Sequence, residues 1–225
     1  MSNISGAKTS REEEIAFLAM EQVLGVEITL ADAGGGSKMP DGSWETHTGR
    51  CIVEVTSPPA TALMAEWARA KKEGRPQIEN GSMPVRMNDL AAVCNELLES
   101  TWAIENITKL RAQPAKERHL FLFARSYDVG DYFYRLSNSY EDGAMEQVED
   151  ITLPEGISDV WFRGQARRGS AQQPHATSLW IARFQAGVGW HRHVVVIDEL
   201  DLPSPAPGIA DDPVPAELRH PKDRT

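Results

Sequence analysis

The chain has 225 residues, of which 41% are hydrophobic and 25% are charged, and its formal net charge is −10. This composition is typical of a globular protein that buries one substantial core. The negative charge argues against a protein that coats nucleic acid, because such domains are usually basic. It does not exclude an enzyme that holds phosphate through a metal ion, because such a site needs clustered carboxylates.

Three features predict a cytoplasmic protein that does not associate with membranes. No apolar stretch approaches the roughly 18 residues that a membrane helix needs. The N-terminal sequence MSNISGAKTSREEE has neither the basic start nor the apolar core of a secretion signal. Cys51 and Cys94 lie in apolar contexts, so we expect buried thiols rather than a disulfide.

The composition changes twice along the chain. Residues 1–9 have the character of a disordered N-terminus, and residues 10–200 carry the periodic patterns of one α/β domain. Residues 201–225 are acidic and rich in proline, which predicts a disordered tail that could dock a protein partner.

The first element after the N-terminus is a predicted amphipathic helix over residues 11–24. Ser10 followed by Glu13 fits a capping box, and Gly25 ends the pattern. Glu14 and Glu21 fall together on one flank of the apolar stripe. They are either solvated carboxylates, or one of them reaches a functional cleft.

Two predicted strands follow, over residues 26–31 and 51–55, and a glycine turn and Pro40-Asp41 lie between them. The second strand, CIVEV, is apolar except for Glu54. A carboxylate in a buried strand costs several kcal/mol unless it is paired or bound to a metal. Glu54 therefore either pairs with Arg50 or a nearby lysine, or it binds a metal ion.

The remaining patterns predict helices, strands and one hairpin. In chain order they are a helix over 61–72, a loop over 75–87, a helix over 88–112, a strand over 119–124, a helix or strand over 131–136, a strand over 159–163, a polar loop over 164–177, and a hairpin with arms 178–185 and 190–197. In the last arm His191 and His193 point to one face and could bind a metal. No third ligand, CxxC or HExxH motif accompanies them, so we favour an exposed hairpin arm.

The order of a helix with a glutamate, a strand, Pro40-Asp41, an apolar strand with Glu54-Val55-Thr56, and another helix resembles the PD-(D/E)XK nuclease superfamily. Within it, the chain looks like actinobacterial nuclease-like proteins that carry a Glu-Val-Thr motif, a His-Leu-Phe strand and a Trp-rich hairpin. The resemblance covers the layout of residues 10–197. It implies a restriction-endonuclease-like fold, in which helices flank a central mixed sheet.

The resemblance also implies a metal site. By position, Asp41 and Glu54 would bind Mg²⁺ or Mn²⁺, and Glu14 would be the carboxylate that the first helix can add. Magnesium retains several waters when two carboxylates hold it. Bound there, the ion would polarise a phosphoryl oxygen and activate water.

The chain departs from the superfamily at Thr56, which stands where the motif has a lysine. A hydroxyl cannot supply the positive charge that stabilises a developing phosphorane. A lysine from elsewhere would have to replace it. The candidates are Lys71 or Lys72 on the following helix, with Lys71 the first choice, and Lys38 before Pro40.

The sequence thus predicts magnesium-dependent cleavage of nucleic-acid phosphodiester bonds, with DNA as the preferred substrate. The alternative is a nuclease fold that has lost catalysis and serves as a binding or assembly module. The acidic balance and Thr56 favour the module, whereas the buried-strand Glu54 beside Pro40-Asp41 favours the enzyme. The sequence does not set the oligomeric state.

Overall fold

The structure is a computed structural model that describes residues 10–31, 39–75, 89–138, 148–168 and 175–202. These residues form five α-helices and one mixed sheet of seven strands, so the α/β class predicted from the sequence is confirmed. The predicted disordered N-terminus and the tail beyond residue 202 lie outside the described residues. Leu202, at the predicted start of the tail, is buried in the core.

The helices and strands have the following bounds. The helices are α1 (Arg11–Leu24), α2 (Thr61–Glu73), α3 (Leu90–Leu98), α4 (Thr101–Arg111) and α5 (Tyr127–Ser137). The strands are β1 (Thr29–Leu30), β2 (Gly42–Thr46), β3 (Gly49–Thr56), β4 (Glu117–Leu122), β5 (Asp159–Arg168), β6 (Ala176–Gln185) and β7 (Gly189–Asp198). Within these ranges, no helix combines the length and the apolar character that a membrane crossing requires.

The strands lie in the sheet in the same order as in the sequence. The pairs β3–β4 and β4–β5 are parallel, and the other four pairs are antiparallel. A parallel pair needs a crossover, and the chain supplies it with α2, α3 and α4 before β4 and with α5 before β5. The crossover that ends in α4 therefore returns the chain directly beside β3.

Both faces of the sheet are covered by apolar side chains. Ile52 of β3 packs in one cluster with side chains of α3, α4 and α5. Val53, the next residue, packs in the other cluster with α1. Because successive residues of a strand point to opposite faces, the sheet is a central layer between α1 and the α3–α5 group.

Helix α1 begins and ends as the sequence predicts. The Ser10 hydroxyl accepts the Glu13 backbone N–H at 3.2 Å, and a Glu13 carboxylate oxygen accepts the Ser10 N–H at 2.6 Å. Gly25 closes the helix in a left-handed conformation with φ of 68°. At the far edge of the sheet, the Gln22 side chain forms hydrogen bonds to the backbone N–H and C=O of Val196. The sheet therefore curls far enough for α1 to reach the edge of β7.

Gly42, the first residue of β2, lies against α1 with no room for a side chain. A Cβ at this position would come within 2.8 Å of Phe17 and of Ile28 side-chain atoms. Such a separation is well below an ordinary carbon–carbon contact. Glycine therefore lets β2 begin in close contact with α1. The position of this first residue determines where the preceding residue, Asp41, lies.

Two predicted elements differ from the structure. The helix predicted over 88–112 is two helices, because Ser100 adopts an extended conformation with ψ of 153° and begins α4 as its N-cap. The Ser100 hydroxyl donates to the Leu97 carbonyl of α3 at 2.5 Å and does not cap an N–H of α4, and such local bonds make serine unfavourable in a helix interior. The strand predicted over 26–31 forms ladder pairs only at Thr29 and Leu30.

The second half of the chain is more regular than predicted. Of the residues predicted as a polar loop over 164–177, 164–168 belong to β5 and 176–177 belong to β6, while 169–174 lie outside the described residues. The polar composition of this stretch predicted a loop. In the structure, the hydrogen-bonded ladder of β5 and β6 continues past a register shift between Arg163 and Ala166. The hairpin of β6 and β7 is confirmed, and residues 131–136 form part of α5.

Candidate active site

Asp41 is fixed by two backbone contacts at the start of β2. Its carbonyl oxygen accepts the Ala31 N–H at 2.9 Å, and its Oδ2 accepts the Val55 N–H at 2.7 Å. Gly42 pairs with Val53 in the antiparallel ladder, so Asp41 stands beside the next residue of β3, which is Glu54. The hairpin thus holds the Asp41 carboxylate next to the strand that carries the second predicted ligand.

Glu54 lies within β3 and is only 4% exposed. It alternates with Val53, so its side chain points to the face that α4 covers. The ammonium of Lys109 on α4 donates to Glu54 Oε1 at 2.8 Å, and it lies 3.8 Å from Asp41 Oδ1. The structure therefore brings Asp41 and Glu54 together around one lysine.

The second carboxylate oxygen of Glu54 has a different environment. Glu54 Oε2 is buried and has no hydrogen-bond partner among the residues that the structure describes. A buried acceptor without a partner costs free energy, and this cost disappears if the atom binds a cation. Carboxylate oxygens are the ligands that Mg²⁺ prefers in proteins. The oxygen set of Asp41 and Glu54 therefore fits a hard divalent ion.

The raised pKa of Glu54 also indicates that this carboxylate lacks sufficient positive charge around it. Burial, and next the negative charge of Asp41, raise its pKa to about 7, although the hydrogen bond and charge of Lys109 act in the opposite direction. One ammonium thus does not fully compensate two adjacent carboxylates. Near neutral pH Glu54 therefore carries a proton in part of the molecules, and any cation at this carboxylate would compete with that proton.

Thr56 lies on the same face of β3, two residues beyond Glu54. Its hydroxyl accepts the Asn106 side-chain N–H at 3.3 Å, and that amide group also donates to the Trp102 carbonyl at 2.7 Å. Asn106 and Lys109 are three residues apart on α4, so they share one helix face. Thr56 is therefore held by the helix that supplies the ammonium.

The lysine of the site is not one that the sequence singled out. Lys71 and Lys72 are exposed in the last turn of α2, and Lys38 lies outside the described residues. Lys109 was missed because it precedes β4, far along the chain from the motif. A usable signal was the pair Asn106 and Lys109 at helical spacing, but the sequence did not show that this face lies on β3.

Glu14, the proposed third ligand, is half-buried in the first turn of α1. Helix α1 packs against the face to which Val53 points, and Glu54 points to the other face. Two residues earlier on the same helix, Glu12 pairs with Arg125 just beyond β4 at 2.7 Å. The role of Glu14 in metal binding stays a prediction.

The two histidines of the last hairpin arm are less exposed than predicted. His191 and His193 are half-buried, and their rings stack with centroids 6.3 Å apart. The His193 ring also stacks on Trp161 at 6.3 Å. Burial, followed by the charges of Arg183 and His191, lowers the pKa of His193. The pair belongs to an aromatic layer on the α1 face, away from Glu54.

No family model matches the chain, and neither a curated protein nor a solved structure matches it. The functional assignment therefore rests on the geometry of the site and on the order of the elements that build it.

Proposed function

We propose that the protein is a magnesium-dependent phosphodiesterase that cleaves nucleic acid, with DNA as the preferred substrate. This proposal is based mainly on the position of the Lys109 ammonium between the carboxylates of Asp41 and Glu54. In addition, Glu54 Oε2 is buried and has no hydrogen-bond partner among the described residues. Two acids and one ammonium are the groups that the superfamily motif requires. Here the ammonium comes from α4 instead of from position 56.

The order of the elements supports a restriction-endonuclease-like core. Helix α1, the short β1, the hairpin of β2 and β3, and the helices leading to the parallel strand β4 follow the order on which the resemblance rests. The acidic pair lies at the open end of the β2–β3 hairpin, where Asp41 precedes β2 and Glu54 is near the end of β3. The remaining strands, β5 to β7, extend this core on its β4 side.

Each residue of the site would have a separate task. Asp41 and Glu54 would hold the ion, which supplies Lewis-acid activation of the phosphoryl group and of water. Asp41 is oriented for this by the Val55 N–H, and Glu54 by Lys109. The Lys109 ammonium supplies the positive charge that Thr56 cannot bring to the developing negative charge on phosphate.

The test is cleavage of supercoiled plasmid and of labelled oligonucleotides with Mg²⁺ or Mn²⁺. Wild-type protein should cut, and Glu54→Gln and Lys109→Met should each lose at least about a hundredfold in rate. Glu105→Gln, an exposed change on the same helix as Lys109, is the matched control and should retain wild-type activity. Lys71→Met separates the two lysine assignments, since activity should survive this change if Lys109 supplies the charge.

A binding module remains the alternative, and one contact favours it. Lys109 already neutralises Glu54 Oε1, and the whole chain carries a charge of −10. In that case wild-type protein would serve as a binding or assembly module and would not cut DNA under any metal condition, whether or not a gel-shift assay detects DNA binding. Equal cleavage by wild type and Glu54→Gln would contradict the proposed active site altogether.

A further inference from the structure

A second group of ligand-type side chains lies on the opposite face of the sheet. Glu117 and His119 are two residues apart on β4, and Asp159 on β5 is the ladder partner of His119. Alternate residues of a strand share a face, so all three point toward the α1 side. One ligand atom from each residue lies within 4.8 Å of the other two.

His119 stands between the two carboxylates. Its ring is fully buried, Nε2 lies 3.4 Å from Glu117 Oε2, and Nδ1 lies 3.6 Å from Asp159 Oδ2. Nδ1 also accepts the indole N–H of Trp161 at 3.2 Å. Within the described part of the chain, Nε2 has no hydrogen-bond partner. The buried nitrogen is thus aimed at the Glu117 carboxylate at a long distance, and this interaction with His119 lowers the pKa of Glu117.

Asp159 is held in place by a cation from the next strand. It is 1% exposed, and its Oδ1 accepts from Arg183 Nε at 2.6 Å, which leaves Oδ2 facing the imidazole. The bond from Trp161 to His119 Nδ1 is made by the tautomer whose proton resides on Nε2. Metal binding at Nε2 requires the other tautomer. In that tautomer Nδ1–H faces Asp159 Oδ2 at 3.6 Å, the Trp161 N–H gives up its acceptor, and Nε2 presents its lone pair to the space beside Glu117.

We propose that the second tautomer binds a transition-metal cation of the Zn²⁺ class, with His119 Nε2 and Glu117 as ligands and Asp159 as the residue that orients the ring. A carboxylate behind a metal-binding histidine is a common arrangement, because it fixes the tautomer and raises ligand basicity. Ligand atoms of a tetrahedral zinc site are about 3.4 Å apart when bonds are about 2.0–2.1 Å. The distance between Nε2 and Glu117 Oε2 is 3.4 Å.

The ligand types separate this site from the Asp41–Glu54 site. An imidazole nitrogen favours Zn²⁺, Co²⁺ or Ni²⁺, whereas an oxygen-only pair favours Mg²⁺. Solvent access is also consistent with an ion at this site, because the Glu117 side chain is 43% exposed while His119 is buried behind it. An ion would therefore reach the site from the Glu117 side, where water would complete its coordination. This proposal does not depend on nuclease activity.

The experiment is a titration of chelator-treated full-length protein with Zn²⁺ by calorimetry and with Co²⁺ by tryptophan fluorescence. The Trp44 and Trp161 ring centroids lie 4.9 Å and 6.2 Å from that of His119, so bound Co²⁺ should quench their emission. We expect one equivalent of metal that quenches tryptophan emission, separate from any ion that the Asp41–Glu54 site binds. Affinity should fall at least tenfold in Glu117→Gln and about tenfold in Asp159→Asn.

Two further variants serve as controls, and both should bind Zn²⁺ as wild type does. Glu155→Gln changes an exposed glutamate, and Glu54→Gln changes the other site. His119→Gln alters a fully buried side chain, so the test relies on Glu117→Gln, whose folding circular dichroism confirms. Absence of Zn²⁺ binding in wild type, or equal binding in wild type and Glu117→Gln, overturns the proposal. Loss of quenching in Glu54→Gln alone would also overturn it.

Discussion

Lys109 and Glu54 are 55 residues apart in the chain, yet the Lys109 ammonium lies 2.8 Å from Glu54 Oε1. The contact exists because β4 pairs in parallel with β3, which returns the preceding helix α4 across the face to which Glu54 points. The same ammonium lies 3.8 Å from Asp41. A single crossover thus brings a cation to two acids that the β2–β3 hairpin had already placed side by side.

Replacing Lys109 by methionine should destabilise the protein more at pH 8 than at pH 5. At pH 8 Glu54 is ionised beside Asp41, and removal of a buried pair partner costs on the order of 2–3 kcal/mol. At pH 5 Glu54 is protonated, because its pKa is raised to about 7 even with the lysine present. Urea unfolding of wild type, Lys109→Met and the control Glu105→Gln at both pH values measures this. An equal loss at the two pH values would contradict it.

Glu54 should make the free energy of unfolding decrease as pH rises. A carboxyl with an ordinary pKa of 4.5 when unfolded and about 7 when folded binds its proton more tightly in the folded state. Stability is therefore lost as pH rises from about 4.5 through 7, by on the order of 3 kcal/mol, and the contribution of Glu54 is constant above that. Glu54→Gln should remove this component. The difference in unfolding free energy between wild type and Glu54→Gln, measured from pH 4.5 to 8.5, should show it, and a flat difference would argue against the raised pKa.

Metal affinity at the Asp41–Glu54 site should increase with pH. A proton and a metal ion compete for Glu54, so affinity for Mn²⁺ should rise close to tenfold per pH unit below 7 and level off above it. Calorimetric titration at pH 6 and pH 8 tests this in wild type and in Glu117→Gln, which leaves this site unchanged. Asp41→Asn should bind Mn²⁺ weakly at both pH values. Identical wild-type affinity at pH 6 and pH 8 would show that Glu54 is not a ligand.

Gly42→Ala should destabilise the protein by about 1–3 kcal/mol, because its Cβ would come within 2.8 Å of Phe17 and Ile28. Gly130→Ala is the matched control. Its nearest neighbour would be the Ala124 Cβ at 3.8 Å, and alanine is the better residue within helix α5. Thermal unfolding should therefore show a lower Tm for the first variant and an unchanged or higher Tm for the second. If Gly42→Ala has the wild-type Tm, the close approach of β2 to α1 is not required.

The elements that the sequence predicted well depend on local signals. Helix α1 follows from the capping box of Ser10 and Glu13, and the hairpin of β6 and β7 follows from two apolar runs around a glycine turn. The burial of Glu54 was also predictable, because apolar residues flank it on both sides. In each case the physical cause lies within a few residues of the element.

The parts that the sequence did not predict depend on distant partners. The assignment of Lys71 considered proximity along the chain, whereas Lys109 reaches Glu54 only through parallel strand pairing. The Glu117, His119 and Asp159 group was likewise invisible, because it depends on the register of β4 against β5. Hydrophobic periodicity reports which face of an element is buried, but it does not report what lies opposite.

The alternation of Val53 and Glu54 between the two faces of β3 also bears on folding fidelity. A one-residue slip of β3 against β4 would turn Val53 toward Lys109 and force the Glu54 charge among the apolar side chains that pack on α1. The mispaired sheet would lose its ion pair and bury an uncompensated charge. Glu54 therefore makes one strand alignment far lower in free energy than its neighbours.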